Sequence, residues 1–453
     1  MRRFALALLA ASSLFCAALA GAATRPHYGG TLRVTMLDAP GSLDPMDLAQ
    51  SGTLGERNLA SLIFDTLLVL DHRGQPQPGL AISWQAEPGG QRWQFRLRPG
   101  VRFHDGTPLT ADQVAASLRA ANPNWKVQPE GDAISIQCDA QSHLPAELAL
   151  SRNGIVKRGG TKVLGTGPFS VNQWEPGKKL MLAANNDYWA GRPYLDSIEI
   201  TLGQGFREQL LALDLGKTDL AEVAPEQARR AASETRQIRN SQPVELLALV
   251  FGREQPSGND RKLLRALSSC IDRAALKNVL LQGGGEPTGA LLPNWMTGYG
   301  FLFPADLDLA AARQALADIR QAAPWTLGYE TNDSLGRIVA ERIVLNARDA
   351  GITLRLSNAS AVDLRLERVP IASLDSRVAL GALAGSVRLP LLQPVGDASQ
   401  DRYAAERALL QAERVIPLLH LRYSYAMNAT VQDWSEAPDG SWHLGEVWLS
   451  PGK

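Results

Sequence analysis

Catalytic chemistry needs titratable or nucleophilic side chains at fixed spacing, and this 453-residue chain offers few such arrangements. Its six histidines, His27, His72, His104, His143, His420 and His443, are scattered, with no HExxH and no cysteine cluster to hold a metal. Neither a GxSxG elbow nor an SxxK pair occurs. Gly283-Gly284-Gly285 has no strand running into it and no Lys-Ser/Thr after it, which excludes a phosphate-binding loop. His104-Asp105 looks like half of a catalytic dyad but falls in a tight turn between short strands. Carboxylates are plentiful, so an acid-pair hydrolase stays open on residue types alone. The other polar residues suit holding rather than reacting. Asp38 is the only charge in its loop, as a ligand contact or as a solvated carboxylate. His420, Arg422 and Ser424 share one face of a strand predicted over 415–427, with Leu419, Leu421, Tyr423 and Tyr425 on the other. That polar face fits either an anionic or polar ligand or plain edge-strand solvation.

The elements that would position these residues are legible from periodicity. Trp93, Phe95 and Leu97 alternate with Arg92, Gln94, Arg96 and Arg98, the period-two pattern of a half-buried strand. Pro99-Gly100 turns the chain, Val101 and Phe103 resume the alternation, and His104-Asp105-Gly106 turns it again. Thr110 with Gln113 forms a capping box for a helix with Val114 and Leu118 on its apolar stripe, stopped by Asn122-Pro123. Further along, residues 260–282 predict two helices with Asp260 and Asp272 as N-caps. Helices over 306–319, 334–350 and 401–413 alternate with strands over 326–329, 352–356 and 415–427, which is an α/β pattern.

The amino terminus, Met1-Arg2-Arg3 followed by an apolar run from Phe4 to Ala20 and the A-x-A-like Ala20-Gly21-Ala22, reads as a secretory signal peptide cleaved near Ala22. A retained anchor is the alternative. Phe15 before Cys16 argues against lipid attachment, and no other stretch stays apolar for the ~20 residues of a membrane helix. A periplasmic protein is expected. Lys plus Arg number 46 and Asp plus Glu 46, with no concentrated basic face, so nucleic acid is not an expected partner. Cys138 and Cys270 fall in different predicted domains and are not expected to pair; Cys270, in LLRALSSC, reads as a small buried hydrophobe. The length allows two or three domains.

Several of these segments together resemble a known family. "PGLAISW…WQFRLRPGVRFHDGTPLTADQV", preceded by "GGTLRVT…LDP" and "IFDTLLVL" and followed by "GTGPF…W.PG…NNDYW" and "LGKTDL", is similar to the extracellular solute-binding proteins, family 5, of peptide and nickel ABC transporters. The resemblance extends through "RALSSCIDRAAL", "GITLRL" and "VIPL", and so over most of the mature chain. It implies an α/β, two-lobed periplasmic-binding-protein-like fold (type II, three-domain variant) with hinge strands. The corresponding division is a signal peptide over 1–23, domain I from 24–60, 165–245 and 415–453, domain II over 61–164 and domain III over 246–414. Gly165 and Gly167 would give positive φ where the chain re-enters domain I, and Tyr188 and Trp189 would cover its core.

The resemblance also implies a mechanism in which two lobes shut on a solute, with no cofactor, no metal and no reaction. Expected partners are a peptide or peptide-like small molecule and inner-membrane permease subunits, with the protein itself a monomer. It places Asp38 beside the cleft. The chief departure lies at Arg368-Val369-Pro370-Ile371-Ala372-Ser373-Leu374-Asp375, where relatives usually carry W-x-x-D-[YW]-x-D-P. The aspartate that pairs with a peptide ammonium in many relatives is missing there, and Asp375 is its candidate substitute. The stretch to Leu392 is also short, so a trimmed second lobe is expected. A sugar-like, opine-like or chelated-metal solute becomes an alternative to a peptide. An exported ligand sensor or a degenerate interaction module on the same scaffold is the alternative to a transport receptor.

Overall fold

The computed structural model describes residues 25–451, apart from 48–51, 139–142, 160–161, 234–235, 254, 300–302, 318, 320–322, 332, 390–398 and 436. The expected signal peptide, with Cys16, therefore lies outside the described residues, as does part of the stretch to Leu392.

In chain order, β1 (Thr31–Thr35) leads through a loop to α1 (Leu54–Ile63). The segment containing β2 (Ala81–Ala86), β3 (Arg92–Leu97), α2 (Ala111–Ala121), β4 (Lys126–Glu130) and β5 (Ala133–Gln137) follows. Its strands form a separate antiparallel sheet in the order β2-β3-β5-β4. Phe95 and Leu97 bury their side chains against Val114 and Leu118 of α2 and Ile134 and Ile136 of β5, while Arg92, Gln94 and Arg96 face water. The Thr110–Gln113 capping box forms as its spacing predicts.

The chain then builds β6 (Phe169–Glu175), β7 (Lys179–Ala184), β8 (Ser197–Thr201), β9 (Leu220–Val223) and the long β10 (Gln237–Phe251). Beyond it come α3 (Gly258–Cys270), β11 (Gly285–Pro287), β12 (Trp325–Gly328), α4 (Ser334–Ala350), β13 (Leu354–Leu356), β14 (Leu364–Pro370), α5 (Ser376–Ser386), α6 (Ser399–Gln411) and β15 (Val415–Met427). An 11-stranded sheet runs β6-β7-β8-β1-β9-β15-β10-β14-β12-β13, with β11 added beside β15. The left part of that order carries one core, built on Leu32, Val34, Ile198 and Ile200. On the right part, α3 and α4 pack on one face and α5 and α6 on the other. The pair β10–β15 lies between, matched from Gln237↔Met427 to Val250↔Val415 with register shifts around Pro243 and at Leu247/Ala248. Such shifts bend and twist a strand pair locally.

Two local expectations are corrected. Ser257, not Asp260, caps α3; Asp260 sits at the third helical position and closes the capping box. Asp272 does cap its short helix. Gly165 and Gly167 do not have positive φ. Their role is close approach: a Cβ would fall 1.9 Å from the Ile63 carbonyl oxygen at Gly165 and 2.6 Å from the Ile63 carbonyl carbon at Gly167. The end of α1 thus rests directly on this backbone, and the Gly167 N–H donates to Ile63 O at 3.0 Å. Cys138 and Cys270 are both buried and are not joined in a disulfide.

Candidate functional site

Two parallel strands of the left half, β1 and β9, end at the same side of the sheet. In open α/β sheets ligands collect beyond such carboxyl ends. Asp38 lies just after β1, and Glu222 is on β9. The Glu222 carboxylate accepts from Leu37 N at 2.5 Å and from Gln209 Nε2 at 3.2 Å. Burial raises both acids; the charge of Asp38 adds to the rise at Glu222, which is pushed up to about 7, and the charge of Glu56 adds to the rise at Asp38. A buried acid pair of this kind favours holding a proton. The charge of Arg368, on β14 in the right half, opposes the shift at both.

Arg368 is itself the hub of a polar cluster. Its Nε and Nη2 donate to Glu245 Oε2 at 2.8 and 2.6 Å, and its Nη1 lies 3.7 Å from Asp333. The Tyr423 hydroxyl donates to the other Glu245 oxygen at 3.0 Å. Burial lifts the Tyr423 hydroxyl far above its usual range, so it stays protonated and donates. These side chains come from β10, β14 and β15, the middle of the sheet.

A cavity of about 650 Å³, lined by none of these cluster residues, opens between the left half and a short segment of the right half. One wall is α1, presenting Leu54, Arg57, Ala60 and Ser61; the right half contributes Ala372, Ser373 and Leu374, and the tail segment 439–446 closes another side. The departure segment at 368–375 thus supplies wall residues. Tyr188 and Asp65 also line the cavity. Asp65 is already engaged, accepting from Thr166 Oγ1 at 2.8 Å and from Tyr188 OH and Trp189 Nε1 at 3.0 Å each. The aromatic pair is therefore anchored to a half-buried carboxylate.

Arg57 is only 8% exposed. Its Nη1 donates to Ile371 O across the two halves at 2.9 Å, whereas Nε and Nη2 are buried without a hydrogen-bond partner.

Among the sequence-predicted residues, Asp38 reaches this region. Asp375 caps α5, accepting from Arg377 N at 2.9 Å and Val378 N at 3.1 Å, and pairs with Arg377 Nη2 at 2.8 Å. Against the upward push of burial, these contacts favour its charged form and hold its pKa below the usual carboxylate value. The cavity wall passes through Ser373 and Leu374 instead. The expected cleft-facing position of His420 and Arg422 is corrected. His420 is 2% exposed, bonded through Nε2 to Leu291 O at 3.0 Å, with burial holding it down to about 4. Arg422 pairs with Glu286 at 2.6 Å on an exposed edge. The reason is position along β15: His420 lies where β10 and β11 pair with the strand on its two edges and the Leu291 backbone seats on the ring, whereas Arg422, two residues on, falls on an open stretch of the same strand. The opposite face, with Tyr423, meets the polar cluster. His104 holds Gly167 O at 3.0 Å and belongs to the packing of that turn.

Arg57, Glu222, Glu245 and Arg368 escaped the sequence reading. Their signal is a charge inside an apolar pattern: Arg57 shares a helix stripe with Ala60 and Phe64, and Glu222 and Glu245 interrupt "LAEV" and "VELLALVF".

With this geometry in view, the comparisons with known proteins are informative. The family described as bacterial extracellular solute-binding proteins, family 5 Middle, matches residues 75–137 and 129–378, more than half of the chain. The chain belongs to this family. Among curated relatives, Protein XP55 of Streptomyces lividans is 27% identical over 338 residues, 66% of this chain and 62% of that protein. The oligopeptide-binding protein AppA of Bacillus subtilis is 23% identical over 322 residues, 63% of this chain and 57% of its own length. The aligned regions thus span less than two thirds of these relatives. The crystal structure of a dipeptide-binding protein from Pseudoalteromonas sp. SM9913 with Met-Leu superposes with a TM-score of 0.80 at 16% identity, covering 93% of this chain and all of that one. Such a likeness establishes the two-lobed α/β periplasmic-binding-protein fold. Two of these, AppA and the Pseudoalteromonas protein, are named for the peptides they bind.

Proposed function

We propose that the protein is the solute-capturing component of an ABC importer. Exported by its leader and cleaved near Ala22, it works in the periplasm as a monomer. It takes a peptide or peptide-like small solute into the inter-lobe cavity and delivers it to inner-membrane permease subunits. The observation that carries this reading is the cavity of about 650 Å³ walled by both halves, a size suited to a small molecule. A solute that touches both walls favours the shut arrangement over the open one, which is the basis of capture and release. Dipeptides and oligopeptides, bound by the relatives named above, set the expected class. Of the sequence-selected residues, Asp38 is retained as a ligand contact, placed with Glu222 at the strand ends.

Native mass spectrometry of protein exported by its own leader tests this. The expected spectrum shows a mass excess of a few hundred daltons that vanishes on denaturation, and small-angle scattering reports a more compact particle with solute than without. A bare mass in every preparation, together with no thermal stabilisation by a panel of di- and tripeptides or by nickel–histidine, overturns the reading. So does turnover of a chromogenic ester or peptide substrate.

A further inference from the structure

We propose that the β-hairpin made by Leu68–Leu70 and Pro76–Pro78 is a clasp: its tip, at Gly74, docks on the Leu374–Asp375 backbone of the right half and holds the cavity shut through contacts that touch no solute. This rests on the receptor reading above and adds what sets the balance between shut and open. The hairpin is rooted away from the right half, since Leu67, Leu68 and Leu80 are buried with the core residues of β3, β5 and α2. Its tip is ordered by its own bonds. Asp71 N donates to Gln75 O at 3.0 Å and Gly74 N to Asp71 O at 2.9 Å, while Asp71 Oδ1 accepts from Arg73 N at 2.8 Å and from Gln75 N at 2.9 Å. Gly74 is left-handed in this turn, with φ +73°.

Close approach marks this contact. A Cβ at residue 74 would lie 2.4 Å from Leu374 O, 2.8 Å from Leu374 C and 3.1 Å from Asp375 N, so only a hydrogen fits there. The atoms met are backbone, and they are held just as firmly: Asp375 N donates to Ser373 Oγ at 3.1 Å, and the Asp375 carboxylate caps α5. Neither side can give way by turning a side chain. At the start of the same segment, Ile371 O accepts from Arg57 Nη1 on α1 at 2.9 Å. The segment is thus gripped at both ends, and Ala372 and Ser373 between them line the cavity together with Val69 and Leu70 of the hairpin. Contacts of this kind favour the shut arrangement whether or not solute is present, and apparent affinity scales with the fraction that is shut. The clasp therefore shifts affinity by one factor for every solute and leaves selectivity to the rest of the wall.

The test reads the distance between the halves in protein refolded free of solute. Nitroxide labels are placed at Lys126→Cys on β4 and Lys262→Cys on α3, both exposed positions, and electron–electron double resonance gives the distance distribution. The native Cys138 and Cys270 are buried and stay unlabelled. With the clasp intact the distribution holds a short, shut component beside a longer, open one. Gly74→Asn suits the left-handed turn but adds the Cβ, and it lowers the short component about tenfold. Gly100→Asn is the matched control, with φ +77° and nothing within 4 Å of its Cβ, and it leaves the short component in place. Circular dichroism checks each fold, and Gly74→Ala, which carries the same Cβ, gives the same answer should Gly74→Asn fold poorly. A short component absent with the clasp intact, kept at full level in the Gly74 variants, or lost equally in Gly100→Asn overturns the proposal. Failure of the receptor reading is distinct: the short component responds to Gly74→Asn as expected while native mass spectrometry finds no captured solute.

Discussion

Arg368 and Glu245 pair where the sheet passes from one half to the other, and the two are not equally replaceable. Arg368→Ala strands a carboxylate that is 7% exposed, together with a tyrosine that donates to it. Breaking such a pair from one side costs about 3 kcal/mol or more, whereas exchanging both charges for apolar groups of similar volume is close to neutral. Urea denaturation of Arg368→Ala and of the double variant Arg368→Met/Glu245→Leu checks this: the single change lowers the midpoint strongly and the double change recovers most of the loss. Glu222 gives the pH dependence. Its native acidity is pushed up to about 7 from an ordinary 4.5, so the folded chain holds a proton that the unfolded chain releases in between. The stability this provides is fully present below about 4.5 and is lost as pH rises through about 7. Glu222→Gln therefore removes a decline with rising pH across that window, measured as the difference between wild-type and variant unfolding midpoints. An identical pH profile in both proteins contradicts the assignment.

At the scale of elements, α1 is the piece most tightly fitted to the site. Thr53 and Glu56 form its capping box, Gly55 sits where a Cβ would come 2.3 Å from Asp38 Oδ2, and Arg57 follows on the inner face. Thr53→Ala is expected to cost about 1 kcal/mol through the lost cap. Gly55→Ala forces Asp38 aside and lowers solute affinity more than stability, read by comparing calorimetric titration of a captured solute with the unfolding temperature. The sequence made much of this scale legible, since caps and apolar periods are local. The Thr110–Gln113 box, α4 over Ser334–Ala350 and β15 over Val415–Met427 all form where the pattern places them. What local pattern cannot supply is what lies beside an element. Alternation along β15 separates two faces but does not say where along a face a neighbour covers it; here the cover reaches His420, a core residue, and leaves Arg422 exposed. Asp260 illustrates a smaller version: a side chain three positions inside the helix reads like its cap until the hydroxyl of Ser257 is seen. Arg57 was hidden because an arginine on a helix is ordinarily solvated, and only the tertiary fold shows it sealed under Ile371.

At the scale of the whole molecule, the two lobes are legible through family resemblance rather than through periodicity, because a sheet order of β9-β15-β10-β14 joins strands distant in the chain. The single sheet spanning both halves has a further consequence. The halves are not independent folding units: β15 contributes core residues on the left and on the right at once, and β10 pairs with it along most of its length. Melting either half frays the ladder that the other needs, so the heat capacity trace should show one transition rather than two, although a chain of several domains ordinarily melts in stages. Two resolved peaks contradict this. Occupancy of the crevice then moves the entire endotherm upward by mass action, including strands far from any contact with the solute.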